Sequence, residues 1–288
     1  MVNIEDLVDN LDTWLEEQRL NSELSQKTIS KYKSSIHKFI NFNSSNDIKN
    51  INKQVMLNYR DYLDEQSSSV KSKNLWIIVL NKYLKYLNLN NLCLKQIKTQ
   101  KNFVIYKKMS VTDLQRLLRI AKREKRMQDY WIIMTLARTG IRISELKYFT
   151  VENLKKENKN TFHYKSKGKE RDVVVPKSLA MDLRKYAREQ KIKSGPLFHQ
   201  IKDASKPINP ATVWKHLKKI AGIARVNKEV VHAHSFRHLF ATVFCRNNPG
   251  NNILLADLLG HSSLETTRIY TELSIDEKQS ILEDMKFR

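Results

Sequence analysis

The sequence predicts a mainly α-helical chain with one small β-sheet, divided into a helical first domain and an α+β second domain. Three observations carry this reading. Apolar residues recur at helical spacing along most of the chain. One stretch, residues 161–175, instead alternates with period two and is rich in β-formers. The charge also changes near residue 100: residues 1–100 carry a net +3 and residues 101–288 a net +19, out of +22 over 288 residues.

The first domain, residues 1–94, reads as four helices. Ile4, Leu7, Leu11, Trp14 and Leu15 form the first apolar stripe. Ser25 is placed to cap the second helix, with Leu24 and Ile29 as a hydrophobic staple, and Ile29, Tyr32, Ile36, Phe39 and Ile40 follow as its stripe. Val55, Tyr59, Tyr62 and Leu63 mark the third, with Met56 at its edge, and Trp76, Val79, Leu80, Tyr83, Leu84 and Leu87 mark the fourth. These aromatics fall on apolar faces, which makes them core rather than base-stacking platforms. Lys27, Lys31, Lys71 and Lys73 lie near helix starts, where they either touch phosphates or form a solvated face.

Residues 95–108, KQIKTQKNFVIYKK, hold five lysines and no acid, and they break the helical pattern. They read as a basic linker, with Lys101, Lys107 and Lys108 able to follow a phosphate backbone. The second domain, residues 109–288, opens with a helix capped by Ser110, with Asp113 in its first turn and basic residues in its last. Residues 130–138 form a buried helix that Thr139-Gly140 ends, Gly140 being free to take positive φ. The 161–175 stretch folds as a hairpin about Ser166-Lys167-Gly168-Lys169, and Pro176 ends its second strand. Phe236, Leu239, Phe240, Val243 and Phe244 line a further helix, Asn248-Pro249-Gly250-Asn251 is a turn, and Ser274 with Glu277 forms the capping box of a last helix.

An excess of 22 positive charges points to a polyanion, most often nucleic acid. Two cysteines, Cys93 and Cys245, support neither a disulfide framework nor a cysteine-rich zinc site, and a reducing cytoplasm fits. No apolar run approaches a membrane span, the acidic start MVNIEDLVDN is unlike a signal peptide, and no phosphate-binding G-x-x-x-x-G-K-[ST] occurs. His232, His234 and His238 make an H-x-H-x-x-x-H pattern, but no Cys or carboxylate completes a zinc set and Arg237 would place a cation beside the metal.

Several polar residues stand out against these frames. Arg142 follows a helix stop in TGIRISEL, with Glu145 three residues on. Lys167 sits at the hairpin tip, His234 and Arg237 share a helix face, and His261 and Tyr270 follow in LLGHSSLETTRIY. Singly, each has a bland reading as a surface ion pair or packed side chain. Together they suit attack on a phosphodiester. Guanidinium groups bind its non-bridging oxygens as a planar fork and stay charged at every relevant pH. Fixed cations stabilise charge developing in the transition state. A tyrosine hydroxyl, with a free pKa of about 10, needs a base or a cationic site to attack at neutral pH, and a histidine can take its proton. A lysine whose pKa is lowered by neighbouring arginines can protonate the leaving oxygen. No metal or other cofactor is required for this chemistry.

The motifs TGIRISEL, HSFRHLFAT and LLGHSSLETTRIY, in that order, resemble those of the tyrosine recombinases, also called the phage-integrase family. The resemblance covers most of the chain. It implies that the first domain is a core-binding, DNA-clamping domain and that the second is catalytic. It assigns Arg142, Lys167, His234, Arg237, His261 and the nucleophile Tyr270 to the catalytic set, and Glu145 to bracing Arg142. Lys169 is the alternative hairpin lysine, because the turn is shorter than the family's usual one. The implied partner is double-stranded DNA, bound by a homotetramer on two sites, with a second recombinase as an alternative protomer. Residues 274–288 are the segment exchanged with a neighbour, through Ile275, Ile281, Leu282 and Met285, or else they pack on their own domain. The start of the chain, almost directly at the core-binding helices, leans towards an Xer-like layout; the LLGHSSLETTRIYT stretch also resembles mobile-element integrases. Two rivals remain: a type IB topoisomerase-like enzyme, and a DNA-binding regulator without chemistry. Tyr83, Tyr86 and Tyr106 are rival nucleophiles outside the matched motifs.

Overall fold

The computed structural model describes residues 2–66, 69–98, 108–155, 157, 160–166 and 169–260. The chain divides into two compact units, Met1–Val104 and Ile105–Arg288.

The first unit is helical. Its elements are β1 (Val2–Asn3), α1 (Ile4–Asp9), α2 (Leu11–Asn21), α3 (Gln26–Ser45), β2 (Asn50–Ile51), α4 (Lys53–Glu65) and α5 (Val70–Tyr86). The stripe expected on one helix from Ile4 to Leu15 is split. Asn10 ends α1 and starts α2, and its amide donates to the Asp6 carbonyl. Side-chain bonding of Asn to nearby backbone competes with helix continuation. The apolar face survives the break, because Leu7, Leu11, Trp14 and Leu15 are all buried. Caps occur where short polar side chains stand at helix starts: Ser25, Asn52 and Ser69 each accept from a backbone N–H three residues on. A two-residue antiparallel ladder, Val2 with Ile51 and Asn3 with Asn50, joins the start of the unit to the α3–α4 connection.

The core of this unit is aromatic. Trp14 lies 4.8 Å from Tyr83 and Phe39 4.8 Å from Tyr59, ring centre to ring centre. Met56, placed at the edge of its stripe by the sequence pattern, is instead fully buried. Tyr83 donates to the Leu7 carbonyl at 2.6 Å and Tyr86 to Glu17, so both hydroxyls serve the fold; Tyr106 lies outside the described residues. The segment after α5 stays attached to it. The Asn81 amide donates to the Leu94 carbonyl and accepts from the Leu94 N–H, and Asn74 does the same for Ile97. The expected linker residues Lys95 to Ile97 therefore lie against the first unit.

The second unit contains α6 (Val111–Arg123), α7 (Met127–Thr139), a 3-10 helix at Ile143–Tyr148, β3 (Thr161–Ser166), β4 (Lys169–Val174), α8 (Lys177–Glu189), α9 (Pro210–Ile223), α10 (Ala233–Asn247) and α11 (Asn252–Leu259). Ser110 and Asp113 close a capping box on α6. The central helix α7 lies against α6, α8, α9 and α10. Buried Asp129 on α7 takes Arg126 at 2.6 Å and His216 of α9 at 2.8 Å, which fixes the two helices. β3 and β4 pair antiparallel, with Phe162 opposite Val173 and Tyr164 opposite Arg171. Phe162, Tyr164, Val173 and Val175 are buried while Val174 is exposed, the alternation of a sheet with one face on the core. Among the described residues no helix is long and apolar enough to cross a membrane.

Candidate active site

Two helix ends organise the second unit's polar centre. α7 and α11 both stop at a glycine in the left-handed region, Gly140 at φ 61° and Gly260 at φ 62°. Such stops leave carbonyls without helical partners, at the end where the helix dipole carries about half a negative charge. Arginines fill these acceptors. Arg237, on α10, is 2 % exposed and donates to Gly140 O at 2.9 Å and Leu259 O at 2.6 Å. Arg142 donates to Gly260 O at 3.3 Å, and Arg171 of β4 to Leu258 O at 2.7 Å. Three consecutive carbonyls at the end of α11 and its glycine cap, Leu258 to Gly260, thus each receive a different guanidinium. Burying a charge is costly unless its donors are used, and the helix ends use the terminal nitrogens of these arginines, while Arg171 Nε is buried without a hydrogen-bond partner among the described residues.

Glu145 sits beneath Arg142. It is buried on the 3-10 helix, accepts from the Arg142 backbone N–H at 2.8 Å through Oε2, and shares Oε1 between Arg142 at 3.2 Å and Arg171 at 2.7 Å. Burial works against its charge. The hydrogen bond from Tyr164, the Arg171 charge and the Arg142 backbone and charge outweigh this and hold its carboxyl below the usual range. Tyr164 is correspondingly pushed up to about 12, by burial first and then by Glu145. The Arg142 side chain remains 47 % exposed, so its guanidinium is braced from below and open to a ligand above.

His234 stands exposed on the first turn of α10. Partial enclosure, then the charges of Arg237, His232 and Arg142, lower its pKa and favour the neutral ring. A neutral imidazole has a free acceptor nitrogen and can take a proton. His238 lies one turn on, its ring 4.6 Å from that of His234, and is pushed down to about 4 by burial first and then by neighbouring charges, Lys108 among them.

The structure therefore brings Arg142, Glu145, His234 and Arg237 together. His261 follows Gly260 directly in sequence; it, Lys167, Tyr270 and residues 274–288 lie outside the described residues, as do Lys101 and Lys107. Lys27, Lys31, Lys71 and Lys108 are exposed. Lys73 is a correction. It is buried, and its ammonium bonds the Asp64 carbonyl at 3.0 Å and carboxylate at 3.3 Å, so it holds the α4–α5 connection instead of facing DNA. Sequence reasoning missed Arg171 and Tyr164. The signal was available: Arg171 has the same strand parity as buried Val173 and Val175, and a cation at an inward position needs a partner.

Comparison with known proteins agrees with this architecture. Residues 107–277 match the phage integrase family, and residues 11–91 match the phage integrase N-terminal SAM-like domain. The chain belongs to the phage integrase family. A tyrosine recombinase of Pseudothermotoga lettingae is 30 % identical over 269 residues, covering 88 % of this chain and 90 % of the relative. The tyrosine recombinase XerA of Pyrococcus furiosus is 29 % identical over 217 residues, 75 % of this chain and 74 % of the relative. The solved XerH site-specific recombinase, in its pre-cleavage complex with difH substrate, superposes with a TM-score of 0.68 at 22 % identity, over 96 % of this chain and 84 % of that one. A lambda integrase dimer bound to a COC′ core site gives 0.73 at 14 % identity, over 94 % and 96 %. These two structures share the fold. As a tyrosine recombinase, the chain is an enzyme of DNA strand breakage and rejoining.

Proposed function

We propose that this tyrosine recombinase exchanges strands between two DNA sites with Tyr270 as nucleophile and Arg142, Lys167, His234, Arg237 and His261 as its catalytic partners. The observation that carries the reading is the convergence of Arg142 and Arg237 on the helix ends, one residue before His261, with His234 within reach of both charges. The scissile phosphate sits over the open guanidinium of Arg142. Arg142 and Arg237 hold positive potential where charge grows in the pentavalent transition state. The Tyr270 hydroxyl gives its proton to a neutral histidine and its oxygen bonds phosphorus, while the bond to the 5′ oxygen breaks. Lys167 protonates that oxygen, giving a 3′-phosphotyrosyl link and a free 5′ hydroxyl. The 5′ hydroxyl of a partner strand then attacks the link, its proton passes to the lysine, and the bond to Tyr270 breaks as the tyrosyl oxygen recovers its proton from the histidine. One phosphoester replaces another in each step, so no energy source enters. Four protomers act on two sites, with residues 274–288 passed to a neighbour through Ile275, Ile281, Leu282 and Met285. The linker lysines and Lys27, Lys31 and Lys71 contact the phosphate backbone.

The test is strand exchange between two plasmid-borne copies of DNA flanking the protein's own gene. Recombinants with one defined junction are expected. Relaxation of supercoils without exchange would favour the topoisomerase-like reading, and salt-sensitive binding without either would favour a regulator.

A further inference from the structure

Arg171 takes part in none of these steps, yet it touches both halves of the machinery. Its side chain is 11 % exposed, on β4 directly across from Tyr164. Nη1 donates to Glu145 Oε1 at 2.7 Å and Nη2 to Leu258 O at 2.7 Å. Gly260 packs so close that a Cβ there would lie 2.6 Å from Arg171 Nε and 2.8 Å from its Cδ. One guanidinium therefore links β4 of the hairpin to the carboxylate under Arg142 and to the end of α11, just before Gly260 and His261 in sequence.

The sharing of Glu145 Oε1 matters most. Arg171 holds it at 2.7 Å and Arg142 at 3.2 Å, so Arg171 has the stronger bond. A carboxylate free of Arg171 would offer both oxygens to Arg142. Arginine–carboxylate pairs favour two parallel bonds, and that geometry would draw the Arg142 guanidinium down from the surface. Occupation by Arg171 leaves the Arg142 guanidinium with one bond to the carboxylate and one to Gly260 O, and half-exposed for phosphate.

Resting on the recombinase reading, we infer that Arg171 is a positioning residue for strand cleavage: it occupies Glu145 and pins the end of α11, so that Arg142 and the approach to His261 are set before DNA binds. The burial of Arg171 and the glycine packed on its guanidinium serve that purpose. Its charge also helps keep Glu145 ionised, so its loss raises the Glu145 pKa and moves the acid limb of cleavage to higher pH.

The experiment uses the full chain, as wild type, Arg171→Gln and Arg171→Lys, with nicked duplexes tiled across the DNA flanking the gene. DNA affinity, thermal unfolding and single-turnover formation of the covalent band are measured across pH. A charge-assisted bond of this kind is worth on the order of 30-fold in rate. Arg171→Gln is expected to cleave about that much more slowly with affinity within about threefold and an acid limb displaced upwards, and Arg171→Lys to recover part of the rate. In a Glu145→Gln background the Arg171→Gln change should cost less than about threefold more. A wild-type rate, an unmoved acid limb in a folded variant, or full additivity with Glu145→Gln overturns the inference. If the wild-type chain forms no band on any duplex, the recombinase reading fails instead. The inference is then decided on the protein alone, by the pH titration of the 13C-labelled Glu145 carboxyl, which must move up in Arg171→Gln and overturns the inference if it does not.

Discussion

Replacing Gly140 by alanine probes how tightly the end of α7 must be set. Gly140 adopts φ 61°, where a Cβ costs an L-residue about 1–2 kcal/mol. The new Cβ would also lie 2.5 Å from Phe240 Cδ1 and 2.8 Å from Leu259 Cδ2, well inside contact distance. Phe240 is on α10 and Leu259 on α11, so relief means moving the helices that carry Arg237 and precede His261. Overpacking of this kind adds about 1–3 kcal/mol. The total, about 2–5 kcal/mol, corresponds to a fall of ~5–15 °C in the melting temperature of the second unit. Urea denaturation followed by circular dichroism measures the first figure and calorimetry the second. Gly140 O is also an acceptor for Arg237, so covalent DNA cleavage should fall further than DNA binding does. A Gly140→Ala variant within about 0.5 kcal/mol of wild type would mean that the α7 end accepts a side chain, against the expectation that no relaxed αL alanine fits beside that ring.

Glu145→Gln removes the only carboxylate described between Arg142 and Arg171, leaving two guanidiniums facing a neutral group; a stability loss of about 2–4 kcal/mol and slowed but still measurable cleavage are expected from denaturation and trapping assays. The depressed histidines make the fold sensitive to acid. His238 binds a proton in the unfolded chain below pH ~6.5 but in the folded chain only near pH 4, so its stabilising contribution is complete above ~6.5 and lost as pH falls towards 4. A difference of about 2 kcal/mol between wild type and His238→Gln, after allowance for partial exposure, should appear across that window in urea midpoints. Tyr83→Phe should cost about 1 kcal/mol, by loss of the bond to Leu7, and leave the covalent band intact. Lys73→Met should lower stability of the first unit without changing the salt dependence of DNA binding, whereas Lys108→Ala should reduce its logarithmic slope by about one unit.

Much of this arrangement was legible because it is local. A glycine stop followed by Arg142 and Glu145, or His234 and Arg237 one turn apart, places side chains through backbone geometry alone. The helical stripes and the hairpin alternation likewise follow from the periods of helix and strand. What escaped depends on residues distant in sequence. Arg171 gains its meaning from Leu258 and Glu145, 87 and 26 residues away. Lys73 looks like any basic residue at a helix start until the end of α4 supplies Asp64. The break at Asn10 leaves the apolar stripe unaltered, so a reading by period could not see it.

Tyrosyl chemistry at one residue is central to the proposed strand exchange. The direct measurement is covalent trapping: the chain is incubated with nicked duplexes in EDTA, denatured in SDS, and the shifted band digested for mass spectrometry of the nucleotide-bearing peptide. A metal-independent band is expected, its 3′ phosphate carried on Tyr270 and lost in Tyr270→Phe. A band that survives Tyr270→Phe, or a modified peptide elsewhere in the chain, would contradict Tyr270 as the nucleophile.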